Sequence, residues 1–365
     1  MPPTPSRATS FTWIYNLEST ASLLLALGSV TTALAARHIL PATDATAFWE
    51  QCVLPVQLPV FYFGYGYLYQ RQWVVDDARS WRSSMGRELV YMLVPLVAVT
   101  VPTLLIDGWA ETGPGLGPAA LVRALFVEPV IPVGFFLVAL ALYAVMPTIK
   151  TRRQAVIMAT LSVALKVALV CFQARPETAA MVSGLPYVVL NGCANAVWFC
   201  GGMALAFAEK DGRGPARIGR PGALWGAWAV LAPGLFVGTK RGAVAEPVAS
   251  FLLTALGLWA ASTLYARRWA PGKPQWRFFG LIDGYTKGIW LMHPMFLTVW
   301  LHLTETLGLP APLMALGTLA VAYGLPVAVN VAMDRLGKLG FFVNPSRYLK
   351  LPAERSDTSS GDKGA

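Results

Sequence analysis

Apolar runs of bilayer-crossing length recur from one end of this chain to the other. A crossing helix needs about 20 mostly apolar residues. Ten stretches meet or approach that length: 12–36, 52–70, 88–106, 131–147, 155–172, 186–207, 222–238, 247–265, 278–301 and 311–333. Such runs leave too little polar surface to cover a soluble core. Charged residues make up 13% of the chain, against about 25% in soluble domains. The expected fold class is all-α: a polytopic membrane protein of about ten transmembrane helices in one bundle. Residues 1–351 form a single ten-span membrane domain, and 352–365 form a polar cytoplasmic tail expected to be disordered. The first run follows a polar start and lacks a clear cleavage site, so it reads as a retained span and not a signal peptide.

The net charge of +10 would fit a nucleic-acid binder, but its distribution points elsewhere. With the N-terminus in the cytoplasm, 22 of the 29 Lys and Arg residues fall in cytoplasmic loops and tails. Only 5 fall in the opposite loops, and Lys166 and Lys287 lie within spans. That bias is the positive-inside signature. It places both ends in the cytoplasm, implies membrane lipids of the cell membrane as partners, and calls for no nucleic acid. The 4 cysteines and 3 histidines form no CxxC or HExxH pattern, so no metal is expected. The cysteines read as small hydrophobes. No glycine-rich nucleotide loop is present.

Ionisable groups inside spans are costly and face a cavity or a partner. Here they are Glu18, Lys166, Asp283, Lys287 and His293. At about 1.5 Å per residue, Glu18, Asp283 and Lys287 fall in the cytoplasmic half, with Tyr65, Tyr67 and Arg87. Ser29 and His293 fall deeper, at similar depth. Asp283 and Lys287 are four residues apart, the favourable helical pairing. Lys166 could pair with Glu18 or Asp283, and the sequence does not choose between them. Asn191 and Asn195 share a helical face and read as interhelical hydrogen-bonding groups.

Several segments in order resemble the acyltransferase 3 family of integral membrane acyltransferases. WIYNLESTASLLLALGSV (13–30) resembles the family's opening, and LPVFYFGYGYLYQR (58–71) its second-span motif. GRELVYMLVP (86–95) is similar to the arginine-rich start of the third span. PVGFFLVALALYAVMP (132–147) and WFCGGMALAF (198–207) resemble two later family segments. YTKGIWLMHPMF (285–296) is similar to the closing motif, with His293 and Pro294 retained. The resemblance implies a ten-span core. It also implies transfer of an acyl group, such as acetyl, from cytoplasmic acyl-CoA (acetyl-CoA) to a hydroxyl of a small-molecule, glycan or lipid-linked acceptor. The family's first-span basic residue and catalytic histidine fall on Glu18 and Ser29, so its mechanism does not transfer residue by residue. Acyl transfer to a hydroxyl needs a base, and His293 is the candidate to replace the missing one. The site residues so expected are His293, Ser29, Glu18 and Asp283 for catalysis, and Arg87, Tyr65, Tyr67 and Lys287 for the donor. Two alternatives stand beside this. One is a non-catalytic relative acting as a scaffold or transporter-like passage. The other is a lipid- or isoprenoid-modifying enzyme using Glu18 or Asp283 as acid.

Overall fold

A computed structural model describes residues 11–72, 75, 77–113, 115–130, 134–282, 284–305 and 307–349. The tail 352–365 and Asp283 lie outside the described residues. Among the described residues the chain is helical with short connecting loops and without strands. Ten principal helices run in order: α1 (Thr12–Ala36), α2 (Gln57–Gln72), α3 (Ala78–Trp109), α4 (Gly134–Val145), α5 (Arg152–Gln173), α6 (Tyr187–Lys210), α7 (Pro221–Lys240), α8 (Glu246–Arg268), α9 (Thr286–Glu305) and α10 (Ala311–Arg335). One falls in each apolar stretch of the sequence.

Seven of these, α1, α3, α5, α6, α7, α8 and α10, are long and apolar enough to cross a membrane. The other three depart from that standard in different ways. α2 has 16 residues but is led in by π and 3₁₀ turns over Trp49–Val53 and Leu54–Val56. α4 has 12 residues. α9 has 20, and Lys287, His293, His302 and Glu305 dilute its hydropathy. The outer helices carry their large apolar residues outward: Leu161 is 64% exposed, Val230 76% and Leu316 64%. Water would penalise such faces at about 25 cal/mol per Å², whereas lipid does not. The molecule is a helical membrane bundle.

The centre of the bundle is built by close approach. α2 and α6 cross with backbones nearly touching. A Cβ added at Gly66 would land on the Phe199 carbonyl, and one at Gly202 on the Phe63 carbonyl. Small residues of this kind let helices pack without a hydrophobic driving force in lipid. α1 packs against α2, α8, α9 and α10. An aromatic cluster of Phe61, Phe135, Phe136, Tyr143, Phe199 and Trp290 fills the space between α2, α4, α6 and α9. The end of α2 is tied to the segment after α4 by Gln70. Its amide donates to the Ile149 carbonyl at 2.8 Å and accepts from the Ile149 N–H at 2.7 Å. Both strand-like bonds are buried and therefore strong.

Candidate functional site

On one side of the bundle, α1, α2, α3, α4 and α9 and the segment after α10 surround a cavity of about 530 Å³. α1 contributes Tyr15, Glu18, Ser19 and Ser22, with Glu18 and Ser19 each three or four residues from Tyr15 and Ser22. α2 contributes Tyr65, α3 Arg87, Glu88 and Tyr91, and α4 Tyr143. α9 contributes Thr286, Lys287 and Trp290, and the last segment Asn344 and Ser346. Gly64 makes room for the carboxylate of Glu18: a Cβ there would strike its Oε1. The wall therefore alternates two carboxylates, Glu18 and Glu88, with two cations, Arg87 and Lys287. Arg87 reaches Glu88 at 3.5 Å and lies 5.6 Å over the Tyr91 ring. The Lys287 ammonium lies 5.6 Å over the Phe136 ring. Desolvated charges persist at such depth when they face partners or a polar cavity. Trp290 closes the deep end, stacked on Phe61 at 5.1 Å and edge-on to Phe136 at 5.1 Å.

One turn beyond Trp290 on α9, the His293 ring is 1% exposed. Its Nε2 lies 2.9 Å from Ser29 Oγ on α1. Its Nδ1 lies 2.9 Å from the carbonyls of both Ile289 and Trp290. Carbonyl oxygens only accept, so Nδ1 carries the proton and donates. Nε2 is then the lone-pair nitrogen, and the Ser29 hydroxyl donates to it. Pro294, which has no N–H of its own to give, follows directly in the helix. A hydroxyl hydrogen-bonded to an imidazole that a third group orients is the arrangement of an activated nucleophile.

Compared with family models, curated proteins and solved structures, the chain matches none.

The residues expected from the sequence divide into groups. Glu18, Tyr65, Arg87 and Lys287 meet in the cavity. Ser29 and His293 meet each other, outside the lining of that cavity. Tyr67 goes elsewhere: its hydroxyl donates to Glu209 on α6. Asp283 lies outside the described residues. Two smaller expectations are corrected. Asn191 and Asn195 donate to the carbonyls of Tyr187 and Asn191 on their own helix, 3.0 and 2.9 Å away, and among the described residues to no other helix. Lys166 lines a separate pocket and lies 6.0 Å over the Phe251 ring, not against Glu18; its other candidate partner, Asp283, lies outside the described residues. Sequence reasoning passed over Glu88, Tyr143, Asn344 and Ser346. Glu88 carried a signal, a second acid at the start of an apolar run. Asn344 and Ser346 carried none, because only the return of the chain after α10 brings them to the wall.

Chemically, the cavity offers two cations, two carboxylates, tyrosine hydroxyls and aromatic faces to a ligand that is partly polar and partly apolar. The Ser29–His293 pair offers a base and a hydroxyl in a water-poor setting. Among the described residues, no group of three or more His, Cys, Asp or Glu is placed to share a metal ion.

Proposed function

We propose that this chain is an integral membrane acyltransferase of ten crossings in the cell membrane, with the cavity and both chain ends on the cytoplasmic side. The donor is an acyl-CoA, acetyl-CoA in the simplest case, and the acceptor is a hydroxyl of an exported or lipid-linked molecule. The observation that carries this reading is the 2.9 Å contact between Ser29 Oγ and the lone-pair nitrogen of His293. The order of family-like segments and the basic loops on the cavity side add support.

On this reading the acyl-CoA head lies at the cytoplasmic mouth, where Arg87 and Lys287 and the exposed Arg79 and Arg82 offer charge to its phosphates. His293 takes the Ser29 proton as the Ser29 oxygen attacks the thioester carbonyl. The C–S bond breaks, the acyl group rests on Ser29, and the CoA thiolate leaves with the proton from His293. The acceptor hydroxyl then attacks that ester, with His293 taking its proton and returning one to Ser29. General-base catalysis contributes about 10²–10⁴-fold. His293→Ala is expected to lower acyl transfer by about that factor. Acyl-enzyme trapped with labelled donor and mapped by mass spectrometry is expected on Ser29. Full activity in His293→Ala overturns the reading, and turnover surviving in Ser29→Ala removes the covalent step alone.

A second reading is favoured by the absence of both Ser29 and His293 from the cavity lining. The pair is then only a hydrogen bond joining α1 to α9, and the cavity binds its ligand without turnover, as in a passage or partner subunit. Donor binding separates these from a chain with no donor site. Arg87→Ala is expected to weaken acyl-CoA binding by about tenfold on either reading, read by calorimetry against free CoA. Covalent turnover by the purified protein excludes the second reading.

A further inference from the structure

On the opposite side of the bundle, α2, α5, α6 and α8 enclose a pocket of about 280 Å³. Lys166 on α5 lines it, seven residues before the helix ends at Gln173, or about 10 Å below that end. A lysine charge at membrane depth costs a few kcal/mol unless something answers it. Among the described residues no carboxylate lines this pocket, and Lys166 forms no ion pair. Its nearest electrostatic company is the Phe251 ring, with Nζ 6.0 Å from the centroid. The rest of the polar lining is the Gln173 amide, the Ser250 and Thr254 hydroxyls, and Asn195. The amide nitrogen of Asn195 is already spent on the Asn191 carbonyl. Ammonium, amide N–H and two hydroxyls give a donor-rich cup in which no acid among the described residues faces the lysine.

We propose that this pocket is an anion site that holds a phosphate group, entering from the side opposite the 530 Å³ cavity. The pocket runs from Lys166 to Gln173 at the C-terminal end of α5 and to Pro247 at the N-terminal end of α8. A phospholipid headgroup and a soluble phosphate ester share the chemistry that the cup recognises. The site stands apart from the proposed acyl transfer and does not depend on it. Replacing an ammonium that bonds a phosphate is expected to weaken binding by about tenfold or more.

Native mass spectrometry of the full chain, incubated with phosphatidylglycerol in neutral detergent, reads the site. Lys166→Gln is expected to lower the retained lipid by about tenfold, while the exposed Arg123→Gln leaves it unchanged. Thr254→Val removes one donor without changing charge or shape, and is expected to weaken retention several-fold should Lys166→Gln fail to fold. Displacement of the lipid by millimolar glycerol phosphate identifies a soluble ester as a ligand. Retention against that competitor identifies the lipid headgroup. Equal retention by wild type, Lys166→Gln and Thr254→Val overturns the proposal.

Discussion

A single residue can set the chemistry of a site through its backbone neighbours. His293 is an example: two helix carbonyls fix which ring nitrogen keeps its proton, and so fix which one can act as base. The Nδ1 contacts reach three and four residues back along α9, so the tautomer is a property of the helix itself. Asp77 shows the same dependence outside the membrane. It caps α3, with the Ser80 N–H donating to its carboxylate at 2.7 Å and the Ser80 hydroxyl at 2.8 Å. Those bonds, the backbone one first, hold its carboxyl below the usual carboxylate range. A lowered acid pKa contributes stability above the unfolded value, and that stability is lost as pH falls through the folded value. Thermal melts between about pH 6 and 3 are expected to lose a small increment in wild type that Asp77→Ala lacks throughout. Identical pH slopes for the two proteins would disprove the cap's contribution.

At the scale of elements, the α2–α6 crossing decides how tightly the central aromatic cluster is held. Gly202 faces the backbone of α2, while a Cβ at the adjacent Gly201 would meet only the Phe63 ring at 4.0 Å. Gly202→Ala is expected to destabilise the bundle by about 1–3 kcal/mol, the cost of overpacking, while Gly201→Ala is near neutral. Detergent melting curves of the two variants make the comparison, and equal midpoints would contradict the close crossing. The positions of α2 and α6 were legible in their apolar runs. The fate of Tyr67 was not legible: depth put it with Tyr65, and the packing of α2 against α6 gave its hydroxyl to Glu209. The roles of Asn191 and Asn195 were not legible. Their spacing of four serves a same-helix carbonyl as well as a partner helix, and sequence contains nothing that chooses between them.

For the whole molecule, the distribution of charge predicts orientation. Single cysteines placed at Arg213 and at Ala243, in a chain with its 4 native cysteines replaced, are expected to react with an impermeant reagent from opposite sides of intact cells. Ala243 is expected to label from outside and Arg213 only after lysis; labelling of both from one side would overturn the proposed topology. The sequence by itself determined the helical membrane class, the order of the helices and the polar layer of Glu18, Tyr65, Arg87 and Lys287. Hydrophobic length, charge bias and depth are one-dimensional quantities, and they project directly from the chain onto the membrane normal. Only the tertiary structure decided what lies beside what within the membrane plane. It brought Ser29 to His293 across 264 residues, set Glu18 and Lys287 on one cavity wall with Arg87 and Glu88, and placed Lys166 in a separate pocket. Those choices depend on which helix faces pack, and on glycines that let backbones meet. The packing energies that decide them are summed over the whole bundle, and no single segment of sequence contains them.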